Sequence, residues 1–522
     1  MRTDGKSASF SRIHRRQFLE ATASTLLLPS MLGVTATRAL GQQSPKRGGI
    51  LNIAALTSTW PIEPYKSGDI GGRMTFYPVV NYLVRISDGV VRPELATQWN
   101  SPDAKVWILK LRENVKFHNG KPFVADDVVS TFERIVDPKT KSPALGAFSS
   151  FLQPGGTQTV DDHTVRFELT RPVSDFLSTL TTYHAAIVPS NWSGDFQKEP
   201  WGTGPFKLTK YVPRQGAEYV RNENYWEPGL PYLDGLRLTY FDEFESQIAA
   251  LHSGAVDVLS SVDANTVEAV KAGRSDIQII ARPSAWHSEL AMRVDTPPFD
   301  DRRVRKAIAL SFDREKIAKD LFGGLAEIGN DHPFGPFYSV SKYIKLPQRK
   351  QDIAQARKLL AEAGHPNGLD VELTTYRAYG LPEFGQVLQD MAKEAGIRVK
   401  LSVEPGDVWY THWTTVPMGL QPWVHRPSYS AFVNLAYRCS TSWNQSHWCN
   451  PEFDELLTKL DATLEPEKQG EIANRMAEIM AEETPAIIAY WAYFVKAATS
   501  KVHGLVPEST DYLDLRQAWK AS

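Results

Sequence analysis

Fourteen tryptophans stand in this chain of 522 residues, and several adjoin polar or turn residues: Trp60, Trp201, Trp286, Trp409, Trp423 and Trp443. An indole offers a flat apolar face and one N–H donor, which suits stacking on peptides, sugars and other amphipathic solutes. Rival chemistries leave no comparable mark. The sequence holds no Gly-x-Ser-x-Gly elbow and no His-Glu-x-x-His pair, which speaks against a hydrolase. His412, His425 and His447 lack the spacing of a metal site. Cys439 and Cys449 lie ten residues apart, a short loop that an oxidising compartment would let close as a disulfide. These residues point to binding rather than turnover, with no cofactor and no metal.

The compartment is read from residues 1–41. Arg15-Arg16-Gln17-Phe18-Leu19 follows Arg2, Lys6 and Arg12 and precedes a weakly apolar run from Ala21 to Ala36, the pattern of a twin-arginine export leader. Thr22, Ser24, Thr25, Pro29 and Ser30 interrupt that run, which falls short of the roughly 20 apolar residues that hold a helix in a bilayer. His14 departs from the Ser or Thr usual before the arginine pair. The expectation is a periplasmic protein. Removing residues 1–41 takes away six basic and two acidic side chains, so the formal charge of -2 becomes -6. A mildly acidic chain without basic blocks is a poor partner for nucleic acid.

The elements that position such residues alternate between strand and helix. Period-two alternation predicts strands over 106–112 and 164–169, with a helix Ala125–Ile135 between them whose first turn carries Asp126 and Asp127. Farther on, a helix Gln351–Ala363 stops at Gly364, a strand Leu369–Thr375 follows, then a helix Pro382–Ala395 and a strand Ile397–Val403. That order predicts an α/β lobe with a partly parallel sheet. An amphipathic helix Pro466–Glu482 precedes an apolar strand Ala486–Val495. The length calls for at least two domains, and the lack of a low-complexity linker favours lobes joined by strands that cross more than once.

The stretch from Gly202 to Val258 is the most specific: Gly202-Thr-Gly-Pro-Phe-Lys-Leu, Arg221-Asn-Glu-Asn-Tyr-Trp, Pro231-Tyr-Leu-Asp and Ala249-Ala-Leu-His-Ser-Gly-Ala-Val-Asp-Val. With Leu111-Arg-Glu-Asn-Val-Lys-Phe-His-Asn-Gly-Lys-Pro-Phe, Pro298-Phe-Asp-Asp-Arg-Arg-Val-Arg-Lys-Ala-Ile and Asn450-Pro-Glu-Phe-Asp-Glu-Leu-Leu, it closely resembles the periplasmic dipeptide, oligopeptide and nickel binding proteins of ABC importers. The likeness extends over nearly the whole chain after the leader. It implies a two-lobed α/β periplasmic-binding-protein fold with an inserted extra domain and hinge strands between the lobes. Lobe I would take residues 48–75, 200–280 and 490–522, the inserted domain 76–199, and lobe II 281–489. The implied function is capture of a peptide or other carboxylate-bearing solute in the inter-lobe cleft. A monomer would then deliver it to permease subunits in the inner membrane. A nickel or metal-complex binder is the alternative within the fold.

The resemblance also implies site residues. In dipeptide binders of this family an Arg of the second lobe pairs with the peptide carboxylate, and Arg377, in Thr375-Tyr-Arg-Ala-Tyr-Gly, matches it, with Tyr379 beside it as a wall. An Asp in a Gly-Trp-x-x-Asp segment holds the free amine in that family. Here the chain reads Gly419-Leu-Gln-Pro-Trp-Val-His-Arg-Pro-Ser, which places Trp423 at or near the Asp and adds His425 and Arg426. Losing the acid removes charge-assisted binding of an ammonium, and the basic groups add donors for anionic or polyhydroxyl groups. The expected solute therefore carries a carboxylate and a masked or distant amine, such as an N-substituted or sugar-conjugated amino acid. Trp60 on a first-lobe loop and Trp443 near the Cys439/Cys449 pair complete the expected contacts, with Asn444, His447 and Trp448 as further wall candidates.

Overall fold

The central strand Ile50–Leu56 is apolar on both faces, with Leu51, Ile53, Ala54 and Ala55 all buried, so it must be covered on both sides. The computed structural model describes residues 44–87, 89–508, 511 and 513–521, and the export-leader reading on residues 1–41 lies outside them. Ile50–Leu56 pairs in parallel with Gly235–Phe241 on one edge and with Val258–Val262 on the other. Around it the sheet runs in the order Ile277–Pro283, Tyr490–Thr499, Val258–Val262, Ile50–Leu56, Gly235–Phe241, Gly216–Arg221, Phe206–Val212. The short strand Ala326–Ile328 adds to Tyr490–Thr499 off that path.

A second, five-stranded sheet has the order Ile397–Glu404, Leu369–Tyr376, Met418–Trp423, His287–Met292, Ala486–Ile488. Its first three strands run parallel to one another. The helix Leu381–Glu394 crosses between the first two of them, and the strands and helices predicted over 351–404 are present to within about two residues. A third, four-stranded antiparallel sheet comprises Ala96–Asn100, Val106–Leu111, Thr164–Glu168 and Thr157–Asp161, with the predicted helix Ala125–Val136 packed on it. Asp127, in the first turn of that helix, accepts the Val124 and Ser190 N–H groups at 2.9 and 2.8 Å and pairs with Lys121 at 2.5 Å. Trp107, Phe132 and Phe167 of this unit share one apolar core with Leu51, Ile53 and Tyr219 of the first sheet.

The chain steps directly from a strand of one of these sheets to a strand of the other at two places, from Pro283 to His287 and from Ile488 to Tyr490, besides the longer excursion that sets Ala326–Ile328 on the first sheet. The second crossing corrects the single apolar strand expected over 486–495. Ala486–Ile488 pairs with Glu289–Ala291 of the second sheet, whereas Tyr490–Thr499 joins the first. Both halves are buried on both faces, so hydropathy runs on without a break and only the change of partner divides them. Among the described residues no helix is long and apolar enough to cross a membrane.

Burial also sets the response to pH. Burial raises the pKa of Glu94 to about 8 and those of Asp175 and Glu289 to about 7. Burial lowers His118 and His332 to about 4, and His184, His287 and His425 to about 3. The raised carboxylates hold protons that the unfolded chain has lost, so their contribution is complete in acid and declines as pH rises through 7 to 8. The depressed histidines contribute fully above their unfolded pKa of about 6.5, and that contribution is lost as pH falls towards 4 and 3. Urea unfolding at about pH 5, 6.5 and 9 is expected to give its highest midpoint at about pH 6.5. A midpoint that climbs steadily to about pH 9 would contradict this assignment.

Candidate functional site

Three parallel strands of the second sheet end on one edge, at Tyr376, Glu404 and Trp423, and the loops beyond carriers of such ends are where open α/β sheets bind ligands. After Tyr376 the chain turns through Arg377, Ala378 and Tyr379, the last in the left-handed region at φ 54°. Arg377 is exposed, its backbone N–H reaches the Glu404 carbonyl at 3.4 Å, and its guanidinium has no ion pair among the described residues. Tyr379 is 58% exposed, and the hydroxyls of Tyr376 and Tyr410 meet at 2.8 Å beside it. Arginine and tyrosines thus form a donor-bearing aromatic lip.

The end of the Met418–Trp423 strand is different in character. Trp423 is 4% exposed, packed on Phe432 and Trp443 with ring centroids 4.9 and 6.1 Å away, and its indole N–H has no acceptor among the described residues. The Arg426 guanidinium lies 5.8 Å over the Trp423 ring, and its backbone carbonyl accepts the Tyr338 hydroxyl at 2.9 Å. Burial lowers the Arg426 pKa, and no carboxylate pairs with it among the described residues. His425 sits between the rings of Phe337 and Phe494, with centroids 4.7 and 5.7 Å away. Its Nδ1 accepts the Ala285 N–H at 2.9 Å, from the first inter-sheet crossing. Burial, then Arg73 and Arg426, keeps this imidazole neutral at about pKa 3.

Arg73 comes from the other side. It lies on the short helix Ile70–Phe76 that follows the central strand of the first sheet, with its guanidinium 4.7 Å over the Tyr183 ring. Its Nε donates to the Asp69 carbonyl at 3.3 Å, and its Nη2 reaches Asp511 at 3.4 Å. Arg73 acts electrostatically on His425 and Tyr379, and Tyr183 acts on Arg426 and Tyr379. Groups that follow strands of the first sheet and of the second therefore come near one another around His425 and Tyr379.

Residues 90–444 match the model of the bacterial extracellular solute-binding proteins, family 5. This chain belongs to that family. Among curated relatives, the nickel-binding protein NikA of Staphylococcus aureus is 27% identical over 487 residues, covering 90% of this chain and 94% of its own. Di/tripeptide-binding protein 2 of Pseudomonas aeruginosa is 27% identical over 506 residues, covering 88% and 92%. Among solved structures, HbpA2 from Haemophilus parasuis superposes with a TM-score of 0.79 at 21% identity, over 91% of this chain and 100% of that one. The fold is the two-lobed periplasmic-binding-protein fold, and the protein is an extracellular solute-binding protein of family 5. Both curated relatives are named as binding proteins.

The other expected site residues of this family 5 protein are spread more widely. Trp60, 48% exposed, stands on the Ser58–Asp69 loop with its ring against Gly68, where an added Cβ would lie 2.9 Å from it. Asp69 fixes that loop by accepting the Thr59 N–H at 2.7 Å and the Gly72 N–H at 2.7 Å. Gly419 lies within its strand opposite Ala291 and Thr374, and a Cβ there would meet Gln445 Nε2 at 2.1 Å, so its lack of a side chain serves packing. Trp443 is 44% exposed, and its ring meets Trp413 edge to face at 5.9 Å and Trp423 at a tilt at 6.1 Å. Asn444 and Trp448 are buried beneath it, with Asn444 donating to the Trp448 carbonyl at 2.7 Å. His412, His425 and His447 do not meet: His412 faces Glu404 at 3.1 Å, and His447 faces Asp295 at 3.0 Å. No group of three metal-ligating side chains occurs among the described residues.

Cys439 and Cys449 form the expected disulfide, closing the loop that carries Trp443. Replacing both with Ser is expected to cost about 2–3 kcal/mol from loop-closure entropy, read as a lower urea midpoint. A change below about 0.5 kcal/mol would show that the loop is held by its buried Trp448 and Asn444 instead. Arg73, Tyr183 and Tyr338 were not anticipated. None of them carries a local signal, and Arg73 lies beyond a long loop after the Ile50–Leu56 strand.

Proposed function

We propose that this solute-binding protein works in the periplasm as a monomer, the substrate-binding component of an ABC importer. It captures a peptide-like solute by its carboxylate and delivers it to permease subunits in the inner membrane. Arg377 is the observation that carries the reading: an exposed guanidinium with no ion pair among the described residues, at a strand end among Tyr376, Tyr379 and Tyr410. In the proposed roles Arg377 forks the carboxylate, Tyr379 and Trp60 wall the solute, and Trp443 with Trp423 supports its far end. The Met418–Trp423 strand and residues 424–428 after it carry no carboxylate of their own to hold an ammonium, which supports an N-substituted or sugar-conjugated amino acid over a free dipeptide. The domain boundaries we propose are residues 48–75, 200–280 and 490–522 for lobe I, 76–199 for the inserted domain and 281–489 for lobe II. The two crossings, Pro283 to His287 and Ile488 to Tyr490, then act as hinge strands.

Thermal unfolding against free dipeptides, longer peptides, N-substituted amino acids, sugar-amino acid conjugates and nickel with histidine tests this reading. A compound at 100 times its Kd adds about 2.7 kcal/mol. Stabilisation by carboxylate compounds with substituted amines supports the proposal. Stabilisation by nickel with histidine alone would overturn it.

A further inference from the structure

Three consecutive features at the end of the Met418–Trp423 strand share one chemistry: each is a donor with nothing to donate to. Trp423 offers only its indole N–H, and that atom is buried without an acceptor. Arg426 has five N–H donors and no lone pair, its Nε is buried without a partner, and no carboxylate pairs with it among the described residues. His425 is less obvious. Because its Nδ1 accepts the Ala285 N–H, the neutral ring carries its proton on Nε2, and Nε2 is likewise buried and unpartnered. Buried donors are nearly always satisfied, so three within four residues mark a place where an acceptor is to arrive.

None of the nearby acids pairs with Arg426 among the described residues. Asp175 accepts from Ser428 Oγ at 2.7 Å and the Ser430 N–H at 3.1 Å through Oδ2 while its Oδ1 is buried without a partner, Glu289 accepts from the Tyr437 hydroxyl, and Asp511 is bound by Lys496 at 3.0 Å as well as by Arg73. The field of Arg73 adds to that of Arg426 at His425. An ammonium placed here would meet a desolvated guanidinium, whereas an anion would give that guanidinium its missing partner.

We infer that this strand end is a seat for an anionic group, so that the solute is acidic at both ends: one acid on Arg377, the other on Arg426 with the Trp423 and His425 N–H groups. The inference rests on the carboxylate-binding reading and specifies the opposite end of the same solute. Since His425 is held by Ala285 at the first inter-sheet crossing, an anion on its Nε2 bears directly on a segment that the two sheets share.

Three matched probes separate the possibilities by isothermal titration: N-succinyl-L-alanine, acidic at both ends; N-acetyl-L-alanyl-L-alanine, acidic at one; and L-alanyl-L-alanine, with a free ammonium. The wild-type protein is expected to prefer the succinyl compound over the acetyl compound by at least about tenfold, with the free dipeptide weakest. Arg426→Met is expected to abolish that preference, whereas Arg377→Met weakens the succinyl and acetyl compounds alike. Without ligand, Arg426→Met should unfold close to the wild-type temperature, because it removes a half-buried cation that lacks a counter-ion among the described residues. The inference is overturned if the free dipeptide binds best, if Arg426→Met keeps the wild-type ranking, or if that variant alone unfolds markedly earlier. Binding that depends on Arg377 and not on Arg426 would sink this inference and leave the carboxylate reading intact; no binding of any probe would sink both.

Discussion

Replacing Asp331 with Ala is expected to destabilise the protein by about 3–5 kcal/mol, the cost of leaving buried charges without a partner. Asp331 is fully buried, and one carboxylate oxygen accepts from Arg314 at 2.6 Å and from Arg349 at 2.5 Å. The other accepts the Ile488 N–H at 3.2 Å, immediately before the second crossing between the sheets. Arg314 is almost as deeply buried as Asp331, and Arg349 is only slightly exposed. Truncation therefore strands two guanidiniums and one backbone donor at the point where the chain changes sheet. Asp331→Asn keeps the shape and the acceptor for Ile488 while losing the charge, and should fall between the two. Urea unfolding of the three proteins measures this. A loss below about 1 kcal/mol for Asp331→Ala would mean that water reaches both arginines and the cluster does not brace the crossing.

The second large effect is on binding. Arg377→Ala is expected to weaken a carboxylate solute by about tenfold to a hundredfold, the range for losing a charge-assisted forked pair that closure shields from solvent. The guanidinium has no protein partner to release among the described residues, so the unliganded fold should hardly change. Titration with N-acetyl-L-alanyl-L-alanine reads the effect, and Arg377→Lys should recover part of it, because a lysine keeps the charge and loses the fork. Equal affinity in wild type and Arg377→Ala would remove Arg377 from the site.

The sequence made one half of this site legible and hid the other for a physical reason. Arg377 and the Trp423-Val-His-Arg run lie directly after strands whose apolar pattern is plain, so their placement at a sheet edge follows from local signals. Arg73, Tyr183 and Tyr338 reach the same region from a short helix, the 3-10 turn Tyr183–Ala185 and a loop, far apart in the chain, and only long-range packing brings them there. The tautomer of His425 was equally out of reach, since it depends on an N–H 140 residues away. Gly419 illustrates the reverse limit: its motif position suggested ligand contact, while its neighbour Gln445 shows a packing demand. Among the elements, the parallel unit over 369–404 was readable because helix and strand differ in period. The run 486–499 was not, because a strand buried in one sheet and a strand buried in the next have the same hydropathy.

The central claim is that a solute is held between the two lobes by groups from both. Hydrogen exchange of the protein, with and without the panel compound that raises Tm most, tests it directly. The account predicts slowed exchange in residues 377–381 and 423–428 of one lobe and in residues 69–76 of the other, together in one titration. Protection confined to a single lobe, or located away from these three segments, would contradict it.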